Sequence, residues 1–584
     1  MLKKIIISLI FLIPLNIDAK TDISVDVLNM NIIEIQDAVD KGYLDYETLM
    51  LIHLERIEKY DSLHNSIRFL NEDALNLARE MDAEFKDNGR RSLLHGIPVL
   101  IKDNIDVAGM PTTAGARVLS DNMPNYNAEI IDRLIDAGAI VIAKTNMSEF
   151  AFSANDSRSS FGHVRNAYNR LYTPYGSSGG TAVGVALGFA PIGIGTDTNS
   201  SIRMPASAAA LIGLRPTFGS IDMKGVIPYD AERDIAGPIT KYAVDAEIVY
   251  SIISDYEIEN KNIRVGVLTD FFNEFSTSSL NPLRSTYKPI VNMMESVIVD
   301  LEGLDYELVE IEGITNSYYE NIRRNNLSGF LFCYDFNQYI KNTSGNVRNF
   351  SDLMQGGTIY NVSNHNISCN FDSRSTTRME NINNRKDEYT KYILEKMSEY
   401  NVDVLIYPTS KNKIFTISSP ITLIGNSAVF SPTTGMPAVT IPIGFDNGLP
   451  YGMEIIGKHN EESIILSIAK KLEEINQHYY VPETAPINYN VNEKKVELKE
   501  IYEIYFMNEE YELLNERARN VFLSETSDEQ IDDLIIDYKN NSVPDYYVTP
   551  EIEISFQKTL YSILSAYLLT AFIITIYVVK KRFY

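Results

Sequence analysis

Two serines and one lysine in this sequence have surroundings that suit nucleophilic chemistry. Ser177 lies in a glycine-rich turn, Y-G-S-S-G-G-T, and Ser201 follows G-T-D-T-N-S, 24 positions later. Lys102 ends an apolar run, I-P-V-L-I-K. Burial lowers the pKa of a lysine, so such an amine can act as a base near neutral pH. The three side chains are the parts of a serine nucleophile that needs no histidine.

The neighbouring sequence predicts the elements that must position these side chains. The apolar run predicts a buried strand that ends at Lys102. Small residues at 181–190 predict a tightly packed helix directly after Ser178, and its dipole would favour negative charge at the serines. Residues 191–195 predict a short strand, and 196–201 a loop at its end. A lysine at a strand end commonly extends to the surface, but two serines bracketed by glycines favour the catalytic interpretation.

Several longer motifs follow one another along the chain. They are L-H-G-I-P-V-L-I-K-D-N-I-D-V-A-G-M-P-T-T-A-G-A (94–116), A-K-T-N-M-S-E-F-A (143–151), G-S-S-G-G (176–180), T-D-T-x-x-S-I-R (196–203), G-L-R-P-T-F-G (213–219) and T-G-M-P-A-V-T-I-P-I-G-F-D-N-G-L-P-Y-G (434–452). These motifs resemble those of the amidase signature family and occur in the family's order. Each motif alone is weak, but together they are specific. The resemblance implies an α/β protein with the three-layer α/β/α amidase fold, a large mixed central β-sheet and no cofactor.

The resemblance also implies a catalytic role for each residue of the triad. In the family's mechanism the equivalent of Ser201 attacks the amide carbonyl. Its proton passes through the equivalent of Ser177, held by a cis peptide bond, to the neutral amine of Lys102. The oxyanion would be stabilised by backbone N–H groups of four residues. These are Thr198, Asn199, Ser200 and Ser201.

The sequence departs from the family's pattern close to the nucleophile. The pair Asn199-Ser200 stands where the family usually has Gly-Gly, and Tyr175 replaces a usual glycine. If position 199 or 200 needs a positive φ, asparagine tolerates it better than serine. Ser200 is an alternative nucleophile. Supporting roles are expected for three further residues. Ser178 is expected to support the turn rather than to react, and Asp197 and Arg203 to fix the loop, although these last two could equally be ordinary structural residues.

Composition and charge limit the classes of partner. The chain has 584 residues, 45% of them hydrophobic, which suffices for a sizeable core. Its formal charge of −26 argues against a nucleic-acid partner, because a polyanion would be repelled. The seven histidines form no recognisable ligand motif, so we expect no metal.

Composition shifts along the chain suggest a domain organisation. We expect a signal peptide at 1–19, an amidase signature domain at 25–481 with a variable, substrate-shaping region at 255–401, an acidic stalk or helical extension at 482–558, a transmembrane helix at 559–579 and a cytoplasmic tail at 580–584. Residues 560–579 are uncharged and precede a basic cluster. These features predict a single-pass membrane protein with an extracytoplasmic catalytic domain. The alternatives are an uncleaved N-terminal anchor and a buried C-terminal core helix.

These patterns predict a membrane-anchored amidase that hydrolyses a peptide or acyl amide through an acyl-enzyme. Residues 330–340 and 347–354 resemble the exported, peptide-amidase-like branch of the family, which favours a peptide or acyl amide over the glutamine used by tRNA amidotransferase subunits. The alternatives are a catalytically silent binding protein with the same fold, suggested by Asn199-Ser200, and a glutamyl-tRNA amidotransferase A-like subunit. Cys333 and Cys369 either pair or remain two thiols. The sequence gives no prediction of the oligomeric state.

Overall fold

The computed structural model describes residues 27–255, 263–271, 286–312, 314, 331–356, 377–417, 419, 426–476, 479–486 and 535. The chain divides into two compact units, Met1–Ile487 and Asn488–Tyr584, and the fold described below belongs to the first. The strands of its described residues, in chain order, are β1 (Ile67–Leu70), β2 (Pro98–Lys102), β3 (Ile140–Thr145), β4 (Arg158–Ser159), β5 (Gly162–His163), β6 (Ile192–Asp197), β7 (Ile212–Arg215), β8 (Ile235–Thr240), β9 (Arg264–Val267), β10 (Glu307–Glu310), β11 (Val404–Pro408), β12 (Ala438–Asp446) and β13 (Leu449–Ile456).

The α-helices of the described residues pack around these strands. In chain order they are α1 (Ile32–Asp40), α2 (Tyr46–His64), α3 (Ala74–Asn88), α4 (Glu129–Asp136), α5 (Gly179–Ala186), α6 (Arg203–Ser207), α7 (Ala243–Ile253), α8 (Lys288–Gly303), α9 (Phe332–Ile340), α10 (Phe350–Gly356), α11 (Thr377–Glu399), α12 (Ser431–Thr434) and α13 (Glu462–Ile475). Local sequence accounts for several of them. Asn31 and Glu34 form a capping box at the start of α1, and α4 buries one apolar face.

Eleven strands form one mixed sheet in the order β1-β3-β2-β6-β8-β7-β12-β13-β11-β9-β10. Strand β2 lies parallel to both β3 and β6, so these three strands end at the same edge. Ile101 pairs with Ile194, which places the end of β2 beside the end of β6. Lys102 and the loop after Asp197 therefore leave neighbouring strands at one edge of the sheet, a common place for catalytic groups.

Helix α5 approaches the sheet closely because glycines occupy the contact. A Cβ atom at Gly184 would lie 2.6 Å from Leu100 Cδ1, and one at Gly193 would lie 2.5 Å from Thr181 Cγ2. Larger residues at either glycine would push α5 away from β2 and β6. The close approach brings the first residues of α5, and the serines before them, to the edge where β2 and β6 end.

The mixed α/β architecture with a large central sheet confirms that part of the sequence prediction. The predicted transmembrane helix is wrong: among the residues that the structure describes, no helix is long and apolar enough to cross a membrane. The two longest described helices, α2 and α11, carry acidic and basic residues along their length. Burying such charges in lipid is costly. The predicted localisation, a single-pass membrane protein with an extracytoplasmic catalytic domain, is contradicted by the same finding.

Several predicted segments lie outside the described residues. They are the signal peptide at 1–19, nearly all of the extension at 482–558, the proposed span at 559–579 and the tail at 580–584. The domain boundaries given above remain predictions. Cys333 is buried in α9 and takes part in a disulfide, whereas Cys369 lies outside the described part of the chain.

Candidate active site

The amine of Lys102 is fully buried at the end of β2 and contacts two side chains. Its Nζ atom lies 2.7 Å from Ser177 Oγ, 2.7 Å from Thr196 Oγ1 and 3.2 Å from the Thr196 carbonyl oxygen. Burial lowers the pKa of Lys102 to about 7, although the charges of Asp197 and Asp234 act in the opposite direction. Near neutral pH a large fraction of this lysine is therefore uncharged, and its lone pair can accept a proton from the Ser177 hydroxyl.

The turn that carries Ser177 and Ser178 is fixed by its backbone. The Gly176-Ser177 peptide bond is cis. The Ser177 carbonyl accepts a hydrogen bond from the Ser148 amide at 3.1 Å. Ser178 donates its amide to the Ser201 carbonyl at 3.1 Å and its hydroxyl to the Thr196 carbonyl at 3.1 Å. The Ser178 contacts thus join the turn to the loop that carries Ser201, and the supporting role of Ser178 stays a prediction.

Tyr175 adopts the left-handed conformation, with φ of 59°. This conformation is strained for a bulky residue, whereas glycine adopts it freely. The Tyr175 side chain is buried and packs edge to face against Phe415, with ring centroids 5.7 Å apart. Packing against Phe415 therefore offsets part of the strain two residues before Ser177.

Asp197 ends β6, and its carboxylate organises the loop that follows. It accepts hydrogen bonds from the Ile202 amide and from Arg203 Nε, each at 3.1 Å, and from Arg215 Nη1 at 3.2 Å. Burial alone would raise the pKa of Asp197, but Arg203 and Arg215 outweigh burial and lower it. The structure thus brings Asp197 and Arg203 together as the sequence suggested and adds Arg215.

Arg203 links the loop to the other half of the sheet. Its Nη1 atom donates to Glu454 Oε2 at 2.7 Å, and its Nη2 atom donates to the Asn199 carbonyl at 2.8 Å. Glu454 is in turn held by the hydroxyl of Tyr407 at 2.8 Å. All of these charged groups are buried. Since a buried charge is tolerated only when it is paired, this network fixes the backbone at Asn199.

The four residues of the expected oxyanion hole, Thr198 to Ser201, form the turn between β6 and α6. Neither Asn199 nor Ser200 adopts a positive φ, so this turn does not require the conformational freedom of glycine. The side-chain oxygen of Asn199 accepts a hydrogen bond from Arg233 Nη1 at 3.0 Å. The Thr198 hydroxyl donates to the buried carboxylate of Asp234. Side chains from a separate segment therefore hold this turn.

Several residues that contact the predicted site were not predicted from the sequence. Two of them are Thr196, which accepts a hydrogen bond from Lys102 Nζ, and Asn104, whose Nδ2 atom donates to the same Thr196 hydroxyl at 3.2 Å. Both lie close in sequence to predicted site residues, since Asn104 follows Lys102 in K-D-N and Thr196 precedes Asp197. This proximity is the sequence signal that could have identified them. The others lie farther along the chain, and no local pattern connects them with Ser201. They are Arg215, Arg233, Asp234 and Glu454.

Lys144, at the corresponding end of β3, is a second fully buried lysine with a different environment. Its Nζ atom lies 3.6 Å from Asp103 Oδ1 and donates to Thr112 Oγ1 at 3.0 Å. Burial lowers the pKa of Lys144 and raises that of Asp103, while each charge favours the other. We expect Lys144→Met to lower the free energy of unfolding by about 3 kcal/mol, because it leaves Asp103 buried without its cation. Denaturant unfolding of the variant measures this, and an unchanged midpoint would contradict it.

The described residues offer no cluster of side chains that is arranged as a metal centre. Among them, no group of three or more His, Cys, Asp or Glu side chains is placed to hold a metal ion. One of the histidines, His53, is buried in α2, and its Nδ1 atom lies 2.8 Å from the Gly188 carbonyl oxygen. This histidine joins α2 to the segment that follows α5.

The chain is similar to a known family and to several of its members. The family profile described as Amidase matches residues 49–466. The A-type subunit of glutamyl-tRNA(Gln) amidotransferase from Natranaerobius thermophilus is 29% identical over 483 residues, which cover 77% of this chain and 96% of that protein. Its counterpart from Methanosarcina barkeri is 29% identical over 497 residues, 78% of this chain and 99% of its own length.

Two solved structures extend the comparison to the fold. The peptide amidase of Stenotrophomonas maltophilia superposes with a TM-score of 0.68 at 27% identity, covering 78% of this chain and 98% of that one. An amidase family protein from Bacillus anthracis gives a TM-score of 0.66 at 26% identity, with 78% and 93% covered. Because the family profile matches most of this chain, the chain belongs to the amidase signature family. It is a hydrolase of amide C–N bonds.

Proposed function

We propose that this amidase hydrolyses a carboxamide bond of a peptide or acyl amide, with Ser201 as nucleophile and Ser177 and Lys102 as its proton relay. One observation carries the proposal: the buried amine of Lys102 lies 2.7 Å from Ser177 Oγ, and its pKa is lowered to about 7. An amine that is uncharged in a large fraction of molecules at neutral pH and in contact with a serine hydroxyl is equipped to act as a general base.

Acylation begins with attack of Ser201 Oγ on the carbonyl carbon of the substrate. As the new C–O bond forms, the Ser201 proton moves to Ser177 Oγ and the Ser177 proton moves to the Lys102 amine. The tetrahedral intermediate then collapses, the C–N bond breaks, and the leaving nitrogen takes a proton back through the same relay. The products of this half-reaction are an amine or ammonia and an ester on Ser201.

Deacylation repeats these steps with water as the nucleophile. Water gives up a proton to the relay, and its oxygen attacks the ester carbonyl. The bond from the acyl carbon to Ser201 Oγ then breaks, the relay returns the proton to Ser201 Oγ, and a carboxylic acid is released. The developing oxyanion would be stabilised by backbone N–H groups of the turn from Thr198 to Ser201. Such a donor is often worth about 3 kcal/mol of transition-state stabilisation.

A cleft supports the expectation that the variable region shapes the substrate site. The cleft, of about 550 Å³, reaches Asp234, which accepts the hydrogen bond from Thr198. Gln338, Tyr339 and Asn342, at the end of α9 and just beyond it, form part of its wall. Asp234 is the residue that links this cleft to the turn of the proposed oxyanion hole. The similarity to a peptide amidase favours peptide amides among the candidate substrates.

A substrate panel tests the proposed function directly. Full-length protein is incubated with C-terminal peptide amides, N-acyl amines and free glutamine, and the released amine or ammonia is measured. We expect turnover of peptide or acyl amides. If well-folded protein releases nothing from the panel and reacts with no fluorophosphonate probe, the chain is a silent binding protein and the proposal fails.

A second candidate is an amidotransferase A-like subunit. The curated relatives described above bear that name and are matched over nearly their full length. Proteins with that name act on glutamyl-tRNA(Gln), which would require partner subunits for this chain. Hydrolysis of glutamine alone in the panel, together with stoichiometric co-purifying subunits, would favour this candidate over the peptide or acyl amidase.

The pH dependence of kcat/KM should follow the protonation of Lys102. Because the base is the neutral amine and its pKa is about 7, kcat/KM should be about tenfold below its plateau at pH 6 and fall tenfold per further unit. Burial also raises the pKa of Asp234 to about 7, with Asp230 acting in the same direction. Asp234→Asn removes that titration. If this variant still turns over but loses the acid limb, the limb belongs to Asp234 and the assignment to Lys102 is wrong.

A further inference from the structure

We propose that Arg233 is a positioning residue that holds the turn of the oxyanion hole through the side chain of Asn199. This inference rests on the function proposed above and concerns the contact between Arg233 and Asn199. Position 199 is one of the two at which this sequence departs from the usual Gly-Gly of the family. Because of this departure, the turn has a side chain at position 199 that a residue from another segment can hold. That residue is Arg233.

Asn199 is held both through its side chain and through its backbone. Arg233 Nη1 donates to the Asn199 side-chain oxygen at 3.0 Å. Arg203 Nη2 donates to the Asn199 carbonyl at 2.8 Å. A glycine would keep only the backbone contact. The two guanidinium groups therefore restrict both the peptide plane and the side chain at the centre of the turn.

Arg233 is itself fixed by its surroundings, so it can serve as a rigid support. Its Nε and Nη2 atoms donate to Asp230 Oδ2 at 3.0 and 2.7 Å. Its carbonyl oxygen accepts a hydrogen bond from Arg215 Nη2 at 2.9 Å. The side chain is only 7% exposed. A planar guanidinium whose fork is already engaged loses little further freedom when it also contacts Asn199.

The physical reason for such a support is the demand that an oxyanion hole places on geometry. Backbone N–H groups stabilise the transition state only if they are already aimed at the oxyanion, because reorientation during the reaction would cost part of the gain. Removing the contact between Arg233 and Asn199 should leave the N–H groups in place but less well aligned. We therefore expect a loss in kcat with little change in KM.

A double-mutant cycle tests the inference. The variants are Arg233→Gln, Asn199→Ala and the two combined, with Arg79→Gln as the matched control, because Arg79 is an exposed arginine paired with Glu47. Each single variant should lower kcat about tenfold, with KM within about twofold. Since both remove the same contact, the double variant should lose no more than the worse single one. Arg79→Gln should behave as the wild type.

The readouts separate a positioning role from loss of the fold. Thermal unfolding midpoints identify variants that no longer fold, and the rate of labelling by a fluorophosphonate probe measures the alignment of the turn without a natural substrate. If Arg233→Gln fails to fold, Asn199→Ala decides, because it leaves the pair of Arg233 and Asp230 intact. Unchanged kcat and labelling in folded Asn199→Ala, or additive losses in the cycle, would overturn the inference while wild-type activity upholds the proposed function. A wild type without hydrolysis or labelling would overturn both.

Discussion

Replacing Ser201 by alanine should lower amide hydrolysis by at least about 10⁴-fold. The substitution removes the oxygen that forms the bond to the acyl group, and a relay without its nucleophile has nothing to activate. The fold should persist, because alanine is smaller than serine and fits the buried position of Ser201 without a clash. The measurement is kcat on the best amide of the substrate panel, with the unfolding midpoint as a check on the fold.

Ser200→Ala is the matched comparison for this prediction. Ser200 is the neighbouring serine and the alternative nucleophile, and its alanine variant keeps the backbone N–H of the turn. We expect Ser200→Ala to retain hydrolysis within about tenfold of the wild type. If Ser200→Ala instead loses all activity while Ser201→Ala remains active, the nucleophile has been assigned to the wrong serine.

Replacing Lys102 by methionine should lower kcat/KM by about 10³- to 10⁴-fold and have little effect on stability. Methionine fills nearly the same volume but has no lone pair for the Ser177 proton. Because the native amine is already costly to bury and its pKa of about 7 leaves a large fraction of it neutral, we expect the free energy of unfolding to change by less than about 1.5 kcal/mol. Steady-state kinetics and denaturant unfolding of the same preparation measure the two effects.

The comparison with Lys144→Met gives this prediction its control. Both lysines are fully buried at the ends of neighbouring parallel strands. Lys102 contacts hydroxyl and carbonyl groups, whereas Lys144 lies 3.6 Å from the carboxylate of Asp103. Losing Lys144 should therefore reduce stability, while losing Lys102 reduces activity. Substantial activity in folded Lys102→Met would contradict its role as the base.

Local sequence was sufficient to predict the elements that carry the triad. The apolar run before Lys102 became β2, and the glycine-rich segment after Ser178 became α5, because hydrophobic runs and small residues act within a few positions of one another. The predicted strand at 191–195 extends to Asp197 in β6. Two turn residues, Thr196 and Asp197, thus belong to the strand, since pairing with β8 continues to its end.

The contacts that hold the oxyanion turn could not be predicted in this way. Arg203 contacts Glu454, 251 positions away, and Asn199 contacts Arg233, 34 positions away. Such partners are determined by the order of strands in the sheet, which no local pattern gives. The concern that Asn199-Ser200 requires a positive φ had the same origin: the sequence shows the missing glycines but not the conformation of the turn, which the structure supplies.

The predicted transmembrane helix shows the limit of composition as evidence. A run of about 20 uncharged residues is long enough to span a bilayer. The prediction used only the length and composition of that run and no information about how the chain packs. Among the described helices, those of sufficient length are charged and pack in the first compact unit. The amidase assignment was safer because it rested on several motifs in a fixed order.

Peptide mapping of the fluorophosphonate adduct tests the central claim most directly. The probe forms a covalent bond only with an activated nucleophile, so the labelled residue identifies the serine that the relay serves. In full-length wild-type protein at about pH 8, where Lys102 is mostly neutral, we predict a single adduct on Ser201 that is lost in Lys102→Met. An adduct on a different serine, or labelling of Ser201 at an unchanged rate in folded Lys102→Met, would contradict this mechanism.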